Sequence, residues 1–262
     1  MNPDLPWQPA GTVYGPLLNL RREHALWAPR MGQAPYQAAP KAPVLYVKTA
    51  NTLAACGAAV AVPQPVWLGP TLGLVVGDHA SNWPTARNQQ APAAIKTIVL
   101  GGVAIAGCVL LNDLSLPHDS YYRPAIRFRN RDGFLVCGTP AAPLAPAQTA
   151  ALQIEARVNG ALVQTVDLST LVRDAATLLA DVSAFMTLQP GDVLMLGTDC
   201  LADGSRPLAQ AGDRVEVSAP GFAPLVHTVV AESSAAGPPH GARAPSGGSA
   251  GAPAPSVGAR SS

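Results

Sequence analysis

Prolines and glycines interrupt this chain about every ten residues, and that spacing limits what it can fold into. With 27 prolines and 24 glycines in 262 residues, few stretches are long enough for an extended helix. The intervening runs are rich in Val, Leu and Ile, so the pattern predicts many short strands closed by turns. Candidate strands are Thr12–Leu18, Val44–Val47, Leu72–Val76, Val103–Leu111, Leu152–Val158, Asp192–Leu196 and Arg214–Val217. Between Ala156 and Gln164, Asn159–Gly160 supplies the positive-φ pair of a tight hairpin. Helical period is clear only in Leu168–Phe185, where Leu171, Ala175, Leu178, Leu179, Val182 and Phe185 share a stripe. Asp167 or Ser169 is placed to cap that helix, and a shorter helix is expected from Asn19 through Arg22 to Trp27.

The ends differ from the middle. Ser233–Ser262 is almost entirely Ala, Gly, Pro and Ser, a composition that cannot bury enough apolar area to offset its chain entropy. The expected organisation is an extension over 1–10, a folded domain over 11–232 and a disordered tail over 233–262. The apolar run Thr97–Leu111 is too short for a bilayer and contains three glycines, so a buried strand is expected there and no membrane span. Net charge is +1 with 13% charged residues and no basic block interleaved with aromatics, which argues against a nucleic-acid partner. Cys56, Cys108, Cys137 and Cys200 lack CxxC spacing, and the first residues lack a secretory pattern. Reduced thiols in the cytoplasm are the expectation.

Chemistry enters through segments taken together. In order along the chain they are GTVYGPLLN, APKAPVLYVKTANTL, GLVVGDHA, VAIAGCVLLNDLSLP, YYRPAIRFRNRDGF, and FMTLQPGDVLMLGT followed by AGDRVEVSAPGFAPL. Between about Gly11 and Glu232 these resemble the fumarylacetoacetate hydrolase superfamily, and the YYRP…RDG and LSLP segments resemble its homoprotocatechuate-pathway subgroup. The resemblance implies an α+β, mostly β fold: a mixed β-roll with a few flanking helices, assembled as a homo-oligomer or with a paralogous subunit. It also implies decarboxylation of 5-carboxymethyl-2-oxo-hex-3-ene-1,7-dioate and isomerisation of 2-hydroxyhepta-2,4-diene-1,7-dioate, both dicarboxylic 2-oxo or enol acids. An acylpyruvate-type hydrolase, and a non-catalytic partner of a ligand-complete paralogue, are the alternatives.

The same resemblance implies the site. Lys48, Arg129 and Asp132 stand at positions implied to be catalytic, and Arg123 and Thr198 at positions implied to bind substrate. Arg129 replaces a family lysine, which keeps the charge but not the proton-carrying ability. Mg²⁺ or Mn²⁺ is the implied cofactor, held in the family by a Glu-x-Glu pair and a downstream Asp. Two Glu at i and i+2 share one face of a strand, but Gly69 and Thr71 occupy those positions here, and only Asp113 remains as a candidate ligand. A family His falls at Glu23 or, one residue on, at His24. His79, His118, His227 and His240 are read as loop residues.

Overall fold

The computed structural model describes residues 6–34, 37–77, 97–118 and 125–232. The chain opens with β1 (Val13–Leu17), α1 (Arg21–Met31), β2 (Val44–Lys48), β3 (Leu53–Ala55), β4 (Ala59–Val62), β5 (Val66–Trp67) and β6 (Pro70–Val76). Next come β7 (Ile98–Leu100), β8 (Val103–Asp113), α2 (Ile126–Arg129), β9 (Leu135–Cys137), α3 (Pro146–Ala150), β10 (Gln153–Val158) and β11 (Ala161–Asp167). The last elements are α4 (Ala175–Ser183), β12 (Val193–Met195), β13 (Leu208–Ala209), β14 (Arg214–Ser218) and β15 (Leu225–Ala231). All belong to the compact unit Met1–Glu232. The fold is the expected mostly β, mixed-sheet architecture.

The larger sheet runs β2-β1-β12-β6-β8-β9-β3, with β7 paired to β8. Its first and last strands, β2 and β3, are consecutive in the chain and separated only by residues 49–52. So short a connection between the two edges requires the sheet to curl on itself. Strand alternation then sorts side chains to two sides. Val13, Val75, Val109, Leu111, Leu135, Cys137, Val193 and Met195 fill the concave side. On the convex side, Leu72, Leu74, Cys108, Leu110, Val136 and Leu194 pack against Ile154, Val215, Val217, Leu225 and Val229 of a second sheet. That sheet has the order β11-β10-β14-β15-β4. At 25 cal/mol per Å² of apolar area, each fully buried Leu or Val contributes roughly 1.5–3 kcal/mol, so both layers stabilise the curl.

Two expectations need correction. The run from Thr97 is a hairpin, not one strand: Gly101 and Gly102, at φ 52° and 83°, turn β7 back along β8 with Leu100 opposite Val103. The helical stripe from Leu168 also breaks. Leu168–Thr170 makes one 3₁₀ turn, capped by Asp167 accepting from Ser169 N at 2.9 Å. Leu171 is extended at ψ 137°, and α4 restarts only after Asp174 accepts from Thr177 N at 2.8 Å. Two local Asp caps compete with one continuous helix, and each starts its own turn. Leu171, Leu178, Leu179 and Val182 are buried all the same. No helix among the described residues is long and apolar enough to cross a membrane.

Candidate functional site

The candidate site forms where polar side chains interrupt the concave apolar face. Tyr46 and Lys48 lie two apart on β2 and so point to one side. Asp113 ends β8, two residues past Leu111, on the same concave side. Lys48 Nζ reaches across the curl to Asp113 Oδ1 at 2.8 Å and to the Phe134 carbonyl at 3.0 Å, and it also donates to the Arg129 carbonyl. An ammonium has three donors, and these acceptors use all of them. Asp113 Oδ2 accepts from Arg129 Nη1 at 2.9 Å and from the Tyr46 hydroxyl at 2.5 Å. The Arg129 guanidinium lies 4.5 Å over the Tyr46 ring, a cation–π contact that adds to its hold. The Lys48 and Asp113 side chains are fully buried, and that of Arg129 is 8% exposed.

Burial and charge pull against each other here. Burial would push the Asp113 carboxyl up, but Lys48, Arg129 and the hydrogen bonds outweigh it and hold the group below the usual carboxylate range. Burial lowers Lys48 despite Asp113 beside it, so its proton leaves more readily than that of a solvated lysine. Burial and then Asp113 keep the Tyr46 phenol well above its ordinary value, hence neutral. Arg129 is raised: burial opposes its charge, and the Asp113 carboxylate beside it helps to overcome that. Two cations against one anion leave the cluster with one net positive charge.

A second charged group adjoins the first. Thr198, 6% exposed, follows β12. Its Oγ1 accepts from Arg206 Nη1 at 3.0 Å, and Arg206 Nη2 donates to Glu23 in the first turn of α1. Arg206 also lies 5.8 Å from the Trp67 ring centre. The Thr198 methyl is 2.8 Å from where a Cβ on Gly69 would sit, and that same point collides with the Asp113 carbonyl. Thr198 and Gly69 therefore join the two groups. Of the two residues at the family His position, Glu23 is the one that turns inward; the 100° step per helical residue leaves His24 outside the cluster.

The donor set does not fit Mg²⁺ or Mn²⁺, which need several hard oxygen ligands. Gly69 has no room for a side chain of any kind. Thr71 contributes a single buried hydroxyl with no hydrogen-bond partner among the described residues. Both Asp113 oxygens are bound by cations and a phenol, so the residue expected as a metal ligand is instead the counter-ion of Lys48 and Arg129. Among the described residues no three His, Cys, Asp or Glu side chains group as metal ligands do.

The remaining expected residues lie elsewhere. Asp132 is exposed and does not join the cluster: its Oδ1 accepts from Asn51 Nδ2 at 2.7 Å. With Asn130 Nδ2 donating to the Val47 carbonyl at 2.9 Å, it pins the 130–133 turn against the end of β2. Arg123 lies outside the described residues, as do His79, His240 and the tail from Ser233. His227 is not a loop residue; it is fully buried on β15. Sequence reasoning missed Tyr46 and Arg206. The first had a signal, since i−2 from Lys48 on a strand is the same face. Arg206 had none, because its loop has no period.

A profile described as the C-terminal domain of fumarylacetoacetate (FAA) hydrolase matches residues 12–230. The 4-hydroxyphenylacetate degradation bifunctional isomerase/decarboxylase of Escherichia coli is 38% identical over 224 residues, which is 85% of this chain and 48% of the relative. The chain thus spans about half the length of the curated relatives it matches. Among solved structures, 5-carboxymethyl-2-hydroxymuconate delta-isomerase from Mycobacterium smegmatis superposes at TM-score 0.61 with 24% identity, covering 84% of this chain and 77% of that one. Maleylpyruvate hydrolase from Sphingobium sp. SYK-6, solved with manganese(II) and pyruvate, superposes at 0.57 with 22% identity, covering 87% and 72%.

Proposed function

Because this chain belongs to the fumarylacetoacetate hydrolase family, we propose that it handles a dicarboxylic 2-oxo or enol acid of 4-hydroxyphenylacetate (homoprotocatechuate) catabolism. Its role is that of a cytoplasmic subunit in 5-carboxymethyl-2-oxo-hex-3-ene-1,7-dioate decarboxylation or 2-hydroxyhepta-2,4-diene-1,7-dioate isomerisation. The observation that carries this reading is the buried Lys48–Asp113–Arg129–Tyr46 cluster with its unbalanced positive charge. Both reactions pass through an enolate whose charge builds on the 2-oxo oxygen. A fixed positive charge in a water-poor site stabilises that oxygen without having to reorganise.

Each residue has a distinct part. Arg129 stays charged and pairs with a carboxylate, but it moves no proton. Lys48, with its lowered proton affinity, is the proton carrier once substrate takes the place of one of its three protein acceptors, and Asp113 orients it. Tyr46 stays a neutral donor. Thr198 offers a hydroxyl to a substrate carboxylate. No step runs through a metal, because the described side chains do not make a site for one.

A second reading has its own support. Gly69 and Thr71 stand where the family carries a Glu pair, and Gly69 cannot be replaced without moving Asp113. That favours a subunit assembled with a paralogous chain that keeps those ligands. Turnover of each pathway acid by the purified chain, with EDTA and across a Mg²⁺ titration, separates the two. Turnover that persists in EDTA and is lost in Lys48→Met is the expected result. Turnover that saturates with Mg²⁺ and vanishes in EDTA defeats the metal-independent assignment. Folded protein with no turnover under any condition leaves the partner-subunit reading.

A further inference from the structure

The Glu23–Arg206 pair plays no part in the steps above, and it is an unusual thing to bury beside a site that already carries positive charge. Both side chains are 11% exposed. A nearly buried ion pair adds little to stability, because desolvating the two charges offsets their attraction. Its placement therefore calls for another account.

We propose that Arg206 is the seat for the substrate's distal carboxylate, and that Glu23 occupies that seat until the substrate arrives. The inference rests on the dicarboxylate reading given above. The guanidinium is held in a fixed plane by Thr198 Oγ1 at 3.0 Å, the Asp199 carbonyl at 3.4 Å and the Trp67 ring. Among the described residues, the one partner that is itself a carboxylate is Glu23. Exchanging one carboxylate for another keeps Arg206 paired throughout, so no bare buried cation forms on the way. The displaced Glu23 is not stranded either. It sits in the first turn of α1, whose N-terminal end favours an anion, although the Glu23 N–H itself already serves the Asp199 carboxyl.

The geometry also divides the ligand sensibly. The Lys48–Arg129 cluster takes the 2-oxo acid end, and Arg206 takes the far end, with Thr198 and Gly69 between them. Planar two-donor recognition suits Arg and is lost with Lys or Gln. Glu23, once released, is a free carboxylate at the edge of the reacting group. Its charge already acts on Arg129, as that of Arg206 does on Tyr46.

The test measures binding of two non-reacting probes, 2-oxoheptanedioate and 2-oxoheptanoate, which differ only in the far carboxylate. Calorimetry on the full chain gives Kd for wild type, Arg206→Gln, Arg206→Lys and Glu23→Gln. Wild type is expected to prefer the dicarboxylate by about tenfold or more. Arg206→Gln erases that preference and leaves 2-oxoheptanoate within about twofold, which also reports that the variant is folded. Arg206→Lys keeps only part of the preference. Glu23→Gln tightens the dicarboxylate several-fold, because a neutral amide yields the seat more readily. Wild-type preference that survives in Arg206→Gln overturns the assignment of Arg206 alone. A wild type that binds neither probe, or both equally, overturns the dicarboxylate reading and this inference with it.

Discussion

Asn112 and Asp113 are adjacent in sequence and both buried, yet they face opposite sides of β8 and solve opposite problems. Asn112 points to the convex side. Its Oδ1 accepts from the Gly69 backbone at 3.0 Å, and its Nδ2 meets His227 Nε2 at 2.9 Å. Since the Asn oxygen is taken by an N–H, the amide nitrogen is the donor and His227 Nε2 the acceptor. The imidazole is thus neutral with its proton on Nδ1, and that N–H makes no well-formed hydrogen bond among the described residues. Asp113, one residue on, gathers three donors, two of them charged. The convex side is an ordinary interior that keeps its polar groups neutral, and the concave side concentrates charge. One strand separates a structural layer from a chemical one.

The largest break in that contrast comes from Asp113→Asn. It leaves Lys48 and Arg129 buried without their anion, which is expected to cost roughly 3–5 kcal/mol. Guanidinium midpoints measure this directly. A loss below about 1 kcal/mol would mean the two cations reach water, and the cluster would not be a closed charged site. The double variant Lys48→Met/Asp113→Asn is expected to recover part of the loss, since it removes one of the stranded charges.

His227 is next in size. Burial lowers its pKa to about 4, against an unfolded value near 6.5. Below pH 6.5 the unfolded chain takes up a proton that the folded chain refuses until about pH 4, so stability falls as the pH drops through that window. The full effect is roughly 3 kcal/mol. Asp113, held low in the folded state, acts in the same direction but only at more acid pH, below the ordinary carboxylate range. Denaturant midpoints between pH 7 and pH 4.5 should therefore slope in wild type and flatten in His227→Gln. Equal slopes in the two proteins would place the acid sensitivity elsewhere.

How far the sequence foretold this depends on whether an effect was local. The β-rich class follows from Pro and Gly spacing, and the positions of β1, β2, β6, β8, β10, β12 and β14 follow from apolar runs. Resemblance to a family marked Lys48, Asp113, Arg129 and Thr198, and the structure brings the first three into one cluster, with Thr198 beside it. What the four do together was not legible, because it depends on a curl that sets the end of β2 against the end of β8, 65 residues further along. His227 looked like a loop residue because nothing local marks it; its neighbour Asn112 is 115 positions away. The broken helix before α4 was legible in principle. Asp167 and Asp174 are both good caps, and weighing only the first hid the restart.

Smaller in effect is the pair that replaces the family carboxylates. Gly69→Ala puts a methyl against the Asp113 carbonyl and the Thr198 methyl, so it should cost about 1–3 kcal/mol by overpacking. Thr71→Val should do the reverse. It removes a buried hydroxyl that has no partner among the described residues and keeps the shape, for a gain of about 1 kcal/mol. Melting curves of the two variants decide it. A stabilised Gly69→Ala would mean the concave face has room that its packing denies. A destabilised Thr71→Val would mean the hydroxyl has a partner, water included.

Asp132 tests the contrast from outside. Like Asp113 it was marked as a functional carboxylate, yet it is exposed and its partner Asn51 is a neutral amide. Exposed polar contacts of this kind are worth about half a kcal/mol. Asp132→Ala should therefore leave stability within that margin and kcat within about twofold, whereas Lys48→Met should abolish turnover while the chain stays folded. The route by which Asp132 could still matter is positional. Through Asn51 and Asn130 the turn braces the end of β2, two residues from Tyr46, so loosening it would disturb Lys48 before it disturbed any substrate. A kcat that falls tenfold in Asp132→Ala with KM unchanged, and returns in Asp132→Asn, would identify that bracing as part of the site. A fall that Asn does not rescue would make the carboxylate itself a catalytic group and erase the line drawn here between the two aspartates.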